Sequence, residues 1–340
     1  MPARVTSDAF IGRRVELARL DAALTDAAAG SDALVFVAGE SGVGKSRLTD
    51  HFAQRAKAAG TRVLWGDCID LGDSELPYAP IVSALRSLVR RGHPVFDALG
   101  AERAELARLL PELGTPGDLL VEPYAGSAQA RLFELLLVLF ERLAEESPVL
   151  LVIDDLHRAD RSTRDFLAFL ARNICHQRLL VVATFRVDEL HRRHPLRPFL
   201  AEIERTERAS RVPVERFTPD EMEAQLAAIL GTTPDDELLD RVWARSEGNP
   251  LFAEEILAAE REGDGALPDS LRDALMLRVE ALGDVTQEAL RWVAAAQRIE
   301  HDVLEVASGL DARELRDALR AVAHRLGIEA TDDDAPVAVA

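Results

Sequence analysis

The amino-acid sequence predicts an α/β fold, a parallel sheet with helices on both faces, followed by an all-helical half. Three observations predict it. Strand-like and helix-like segments alternate through the first two-thirds of the chain, a glycine-rich turn joins the first apolar strand to a helix, and after Phe217 only helical patterns remain. Alternation of this kind gives crossover connections, and so a parallel sheet covered on both sides.

Each element follows from its own residues. Arg13–Ala29 sets Val15, Leu17, Leu20 and Leu24 at helical spacing. Ala33–Ala38 is a continuous apolar run, the pattern of a strand buried on both faces. A helix is predicted from about Gly44 to Ala59, and a strand at Arg62–Trp65. Pro77 to Leu143 reads mostly as helices broken by Pro and Gly. Val149–Ile153 is the most strand-like segment, Ser162–Ile174 is amphipathic, Leu179–Phe185 is another buried strand, and Arg211–Val214 is the last. Thr218-Pro219-Asp220-Glu221 then opens the helical half, with Thr218 at the N-cap, Pro219 at the first helical position and Glu221 three residues after the cap. Gly263-Asp264-Gly265 reads as a linker within that half.

Bulk properties narrow the function. With 340 residues, 48% of them hydrophobic, the chain is long enough for two or three domains. A formal net charge of −19 repels nucleic-acid phosphates and anionic lipid, so no direct nucleic-acid contact and no membrane binding are expected. The most apolar helical stretch, Leu132–Leu143, is interrupted by Glu134, Glu141 and Arg142, which argues against a membrane span. Met1-Pro2-Ala3-Arg4 leads into no signal-peptide core, and two distant cysteines, Cys68 and Cys175, build neither a metal site nor a disulfide framework. A cytoplasmic location is expected.

The chemistry begins at Gly39-Glu40-Ser41-Gly42-Val43-Gly44-Lys45-Ser46, a full G-x-x-x-x-G-K-[ST] phosphate loop. Glycines let successive backbone N–H groups point inward at phosphate oxygens, and the following helix adds its positive dipole end. Lys45 would sit between the β- and γ-phosphates, and Ser46 would give its hydroxyl to Mg²⁺. Arg47 continues the same turn. Lysine occurs only at Lys45 and Lys57 in a chain that otherwise uses arginine, so its presence in the loop is specific.

Val149–Ile153 ends in Asp154-Asp155. Paired carboxylates closing a buried strand point to Mg²⁺ and water: Asp154 to the metal, directly or through water, and Asp155 to the attacking water. Asp155 also reads as the N-cap of the next helix. Thr184-Phe185-Arg186 closes a further strand. If that strand lies beside the loop strand, Arg186 points toward the γ-phosphate; otherwise it is a surface arginine. No Asn-Lys-x-Asp guanine-reading motif is present, since the only asparagines are Asn173 and Asn249, and this favours adenine.

Together these motifs resemble the STAND ATPases, signal-transduction relatives of AAA+ proteins, and most closely the large LuxR-type ATP-binding bacterial regulators. Phe10-Ile11-Gly12-Arg13-Arg14-Val15-Glu16 is similar to the family's N-terminal box, Gly39–Ser46 to its Walker A, and Ile153–Asp160 to its Walker B stretch, with Arg158 at a position usually held by tryptophan. Glu247-Gly248-Asn249-Pro250-Leu251-Phe252 resembles its GNP box, which by itself also reads as an inter-helix turn. The resemblance implies an α/β P-loop NTPase of the ASCE, AAA+-like class, with Ile11, Gly12 and Arg13 near adenine and Pro250 reaching the nucleotide. It divides the chain into a nucleotide-binding domain at 8–215, a small helical domain at 216–262, an incomplete winged-helix-like domain at 266–328 and a flexible acidic tail at 329–340. Arginines 313, 316, 320 and 325 are interleaved with Glu314 and Asp317, so that module reads as a packing element and not a DNA reader. The resemblance further implies ATP/ADP and Mg²⁺ as cofactors, slow hydrolysis, self-association in the ATP state, and sensor and DNA-binding domains in a longer chain of which this one is a fragment or a shortened relative. A ring-forming AAA+ remodelling ATPase and a non-hydrolysing ATP-binding scaffold are the alternatives.

Overall fold

The computed structural model describes residues 6–31, 33–68, 77–114, 125–174, 177–206, 208–262 and 283–296, with shorter stretches between 276 and 338. The expected linker at 263–265, most of the expected 266–328 module and the tail apart from Val337–Ala338 lie outside the described residues. Two compact units are present: Phe10–Arg216, and the residues before Phe10 together with those from Phe217 onward.

In the first unit the order is α1 (Arg14–Ala28), β1 (Ala33–Gly39), α2 (Lys45–Ala58), β2 (Arg62–Asp67), α3 (Ala79–Arg90), α4 (Arg103–Leu106), α5 (Ala125–Glu146), β3 (Val149–Asp154), α6 (Arg161–Asn173), β4 (Leu179–Arg186), α7 (Leu196–Ile203) and β5 (Ala209–Pro213). Short 3-10 turns cover Pro94–Glu102 and Pro111–Leu113 in the stretch before α5. The five strands form one sheet in the order β2-β3-β4-β1-β5, and every pairing is parallel.

Strand alternation builds two cores. Leu34, Phe36 and Ala38 of β1 face one side with Leu151, Ile153, Val181, Ala183 and Phe185, packed against residues of α3, α5, α6 and α7. Val35 and Val37 face the other side with Leu150, Val152, Leu180 and Val182, under Leu17 and Leu20 of α1 and Leu48 and Phe52 of α2. A strand buried on both faces has no polar face to display, which is why β1, β3 and, apart from Thr184, β4 read as apolar runs up to their strand ends.

Two glycines are required by close packing. A Cβ on Gly39 would lie 2.5 Å from the Val214 carbonyl oxygen, and one on Gly66 would lie 2.0 Å from that of Pro80. The first glycine of the phosphate loop therefore serves the junction with the segment after β5. The left-handed turns are made by Gly42 and Gly44, at φ 80° and 95°.

The second unit holds α8 (Pro219–Leu230), α9 (Asp236–Ser246), α10 (Pro250–Glu262) and α11 (Asp284–Ala296). Thr218 caps α8 in a complete capping box with Glu221, with Pro219 in the first turn, as its sequence predicts. Between α9 and α10, Glu247 and Gly248 both adopt left-handed φ. Gly248 is held against the Phe217 carbonyl, where a Cβ would approach to 2.5 Å. The buried Asn249 accepts the Leu251 and Phe252 N–H groups at 3.1 and 3.4 Å, and α10 starts at Pro250. Within its unit the Gly-Asn-Pro box is thus a turn plus a helix cap. Arg298–Ile299 pairs antiparallel with Val337–Ala338, so part of the expected tail is in a two-stranded ribbon.

Candidate functional site

A parallel sheet gathers its functional groups at the carboxyl ends of its strands, where helix N-termini also converge. Here β4 lies between β1 and β3, with Gly39 opposite Arg186 and Ile153 opposite Ala183. The condition placed on Arg186 is met: its strand neighbours the loop strand. The phosphate loop, the Asp154-Asp155 pair and Arg186 thereby share one edge.

Lys45 opens α2 and is buried, 6% exposed. Its Nζ donates to the Gly39 and Glu40 carbonyls at 3.0 and 2.7 Å. Burial lowers its pKa from the ordinary lysine value to about 8, with Arg186 pushing the same way and Asp188, Asp155 and Asp154 opposing. Ser46 Oγ donates to Asp154 Oδ2 at 3.2 Å. A hydroxyl and a carboxylate oxygen this close form a hard-oxygen pair, the donor set that Mg²⁺ shares with phosphate oxygens and water. The residues therefore fit a magnesium ion, although the described residues include no cluster of three or more His, Cys, Asp or Glu side chains that would hold a metal alone.

The remaining loop positions serve geometry. Gly44 has open space where a Cβ would stand, leaving its face of the loop uncovered, and its left-handed φ suits glycine. Val43 is buried in the core, while Arg47 is exposed on the first turn of α2. Glu40 pairs with Arg216 at 2.9 Å, tying the loop to the end of the sheet unit.

The N-terminal box meets the loop directly. Gly12 and Arg13 are consecutive left-handed residues, at φ 64° and 61°, just before α1. Arg13 Nη2 donates to the Val43 carbonyl at 2.8 Å, and Nη1 pairs with Glu16 at 3.4 Å. Ile11 and Gly12 are half-buried beside it, and Phe10 stacks on His51 of α2 with ring centroids 4.0 Å apart. The guanidinium of Arg13 thus fixes the outer side of the phosphate loop.

Asp155 takes φ 56°, a left-handed conformation that Asp tolerates better than most residues. It does not cap α6. Asp160 does so, accepting the Thr163 N–H at 3.0 Å. The helix begins one 3-10 turn later than the N-cap reading of Asp155 requires, because Leu156–Arg158 forms that turn first.

Four residues to which the motifs assigned no role join the site. Thr184, fully buried, donates its hydroxyl to Asp154 Oδ1 and accepts the Asp155 N–H at 3.0 Å, so one side chain orients both acids. Asp188 accepts the Ser41 N–H at 3.2 Å. Glu189 Oε1 lies 2.7 Å from Arg186 Nη1, and its Oε2 lies 3.0 Å from Nε2 of the buried His157. The contact with His157 holds the Glu189 carboxyl down to about 2, helped by the charges of His157 and Arg186 against an opposing effect of burial. The sequence carried a signal for Thr184, a hydroxyl inside an apolar strand. It carried one for Asp188-Glu189 too, since they follow a strand end as Asp154-Asp155 do.

A glycine-rich loop with left-handed turns at Gly42 and Gly44, a buried lysine, a serine–aspartate pair and a neighbouring strand-end arginine at the edge of a parallel sheet define a P-loop NTPase fold of the AAA+ type. The chain belongs to the AAA ATPase domain family, whose model matches residues 9–182. It is 25% identical over 313 residues to an uncharacterized protein of Rhizobium meliloti, R02095; the match covers 85% of this chain and only 29% of that protein. Among solved structures it resembles the ORC2 protein of Aeropyrum pernix, solved as ADPNP–ADP complexes, with a TM-score of 0.58 at 16% identity, covering 99% of this chain and 93% of that one. DnaA of Aquifex aeolicus, solved with AMPPCP, is a more distant match, with a TM-score of 0.45 at 16% identity, covering 94% of this chain and 90% of that one. No helix among the described residues is long and apolar enough to cross a membrane.

Proposed function

We propose that this chain is the nucleotide switch of a longer STAND-type regulator: it binds ATP or ADP with Mg²⁺ and hydrolyses ATP slowly. The observation that carries the reading is the meeting of Ser46 with Asp154, 3.2 Å apart, on the sheet edge that also holds Lys45 and Arg186.

The loop N–H groups and Lys45 bind the phosphates, and the negative triphosphate opposes the burial that lowers the Lys45 pKa. Ser46 and Asp154 would hold a magnesium ion, which would supply charge neutralisation to the phosphate groups. Thr184 keeps Asp154 in the orientation that faces Ser46. Asp155 orients and polarises the attacking water, and Arg186 contacts the γ-phosphate and so distinguishes ATP from ADP. Ile11, Gly12 and Arg13 form the adenine end of the site, and Pro250 is assigned to the nucleotide on the resemblance of its Gly-Asn-Pro box alone. Loss of the γ-phosphate contacts changes the relation of the two units, which is the output of such a switch. The length of the R02095 protein, of which this chain matches 29%, supports a place within a larger chain; sensor and DNA-binding parts in that chain are what the resemblance to the STAND regulators implies.

The test is to denature the purified protein and identify the released nucleotide by chromatography, with Lys45→Ala as the control. Stoichiometric adenine nucleotide in the wild type and none in the variant is expected. A wild type that neither carries adenine nucleotide nor binds added ATP-Mg²⁺ refutes the proposal. The second reading, a ring-forming remodelling ATPase, draws on the AAA ATPase domain match and predicts a closed oligomer with fast turnover. Sedimentation with ATP, together with the steady-state rate, separates the two.

A further inference from the structure

Four charged or titratable side chains close a ring at the sheet edge. Asp155 Oδ1 lies 3.8 Å from His157 Nδ1, and His157 Nε2 lies 3.0 Å from Glu189 Oε2. Glu189 Oε1 then lies 2.7 Å from Arg186 Nη1, and Arg186 Nε lies 3.7 Å from Asp155 Oδ1. The ring is uneven. Both short contacts belong to Glu189 and both long ones to Asp155.

That asymmetry has a mechanical meaning. Arg186 and Asp155 carry opposite charges and stand on adjacent strand ends, so without another anchor they would close into a direct ion pair. Such a pair would neutralise the carboxylate that the proposed reaction needs and would turn the guanidinium away from the phosphate loop. Glu189 pulls Arg186 by Nη1, while the arginine's Nε faces Asp155 at the longer distance. Through its other oxygen Glu189 also stands in ion-pair contact with the ring of His157, whose side chain is 1% exposed and whose two nitrogens are buried with no aligned hydrogen bond among the described residues. His157 in turn backs the left-handed turn that carries Asp155.

We infer that Glu189 is a positioning residue for the γ-phosphate end of the site: by holding Arg186 and His157 it keeps Arg186 off Asp155 and presents the arginine's remaining N–H groups to the terminal phosphate. The inference rests on the nucleotide-switch reading and deepens it. It assigns the discrimination between triphosphate and diphosphate to a pair, Arg186 with Glu189, in place of one arginine.

The experiment is a double-mutant cycle on the full chain with Glu189→Ala, Arg186→Ala and both together. Affinity for ADP-Mg²⁺ and for a non-hydrolysable ATP analogue with Mg²⁺, the single-turnover hydrolysis rate and the melting temperature are measured for each. Glu189→Ala is expected to remove most of the preference for the triphosphate, to slow hydrolysis about tenfold, in line with loss of one charge-assisted contact, and to leave ADP affinity unchanged. It is expected to add nothing further once Arg186 is alanine. Glu189→Gln, which keeps the volume but cannot accept from both partners, tests the same point if the alanine variant fails to fold. A wild-type triphosphate preference retained in the Glu189 variants, or losses that add to those of Arg186→Ala, would overturn the assignment. A wild type that binds neither nucleotide refutes the switch reading itself, and is recognised as such because the comparison among variants then never arises.

Discussion

Removing the ammonium of Lys45 should change how stability depends on pH, and the structure sets the size of the change. Burial lowers the Lys45 pKa from 10.5 to about 8, which corresponds to roughly 3 kcal/mol acting against the charged form. Between those values the unfolded chain holds the proton and the folded chain has released it. Stability linked to this group therefore rises with pH from about 8 to about 10.5 and is flat below about 8. In Lys45→Met the dependence is absent, while every other titrating group is shared. The free-energy gap between wild type and variant should move by roughly 3 kcal/mol in favour of wild type between pH 7 and pH 10.5. Urea unfolding of the nucleotide-free protein measures it, followed through Trp65 in a background with Trp243→Phe and Trp292→Phe, so that the sheet unit alone reports. A gap that stays constant across that pH range would show that the ammonium is solvated in the folded loop, and would refute the argument from burial.

Other outcomes follow from the same geometry. Thr184→Val should lose about 1–3 kcal/mol of stability, since it strands a half-buried carboxylate oxygen and an N–H group, and should depress Mg²⁺-dependent hydrolysis at least tenfold by that loss of orientation, whereas Thr184→Ser should retain both; urea melts and phosphate release decide. Gly66→Ala, which drives a Cβ to 2.0 Å from a backbone oxygen, should cost about 3 kcal/mol. Gly60→Ala meets open space at φ 91° and should cost only about 1 kcal/mol; thermal melts of the two variants would rank them. The depressed Glu189 carboxyl contributes stability that is present above the ordinary glutamate value of 4.5 and lost as pH falls toward about 2. Acid titration of Glu189→Gln should therefore be flatter than wild type across that window.

The sequence by itself determined the sheet and its chemistry-bearing ends. The runs Ala33–Ala38, Val149–Ile153 and Leu179–Phe185 read as strands because burial on both faces leaves no room for polar alternation, and the observed strands extend each by a residue. The glycine pattern, Lys45, Ser46 and the strand-end acids were legible because the G-x-x-x-x-G-K-[ST] motif and a carboxylate pair closing an apolar run set particular residue types at fixed spacing. The cap of α8 was legible because it is made by neighbours in the chain.

Only the tertiary structure decided which strand ends meet. The order β2-β3-β4-β1-β5 is a matter of non-local pairing, and it alone sets Arg186 opposite Gly39 and brings Ser46 to Asp154 across 108 residues of sequence. The same holds for Arg13 on the Val43 carbonyl, Asp188 on the Ser41 N–H group and the ring centred on Glu189. Local pattern records what each segment needs buried or bound. Contacts between distant segments depend on the arrangement of whole elements, and no single window of sequence contains it.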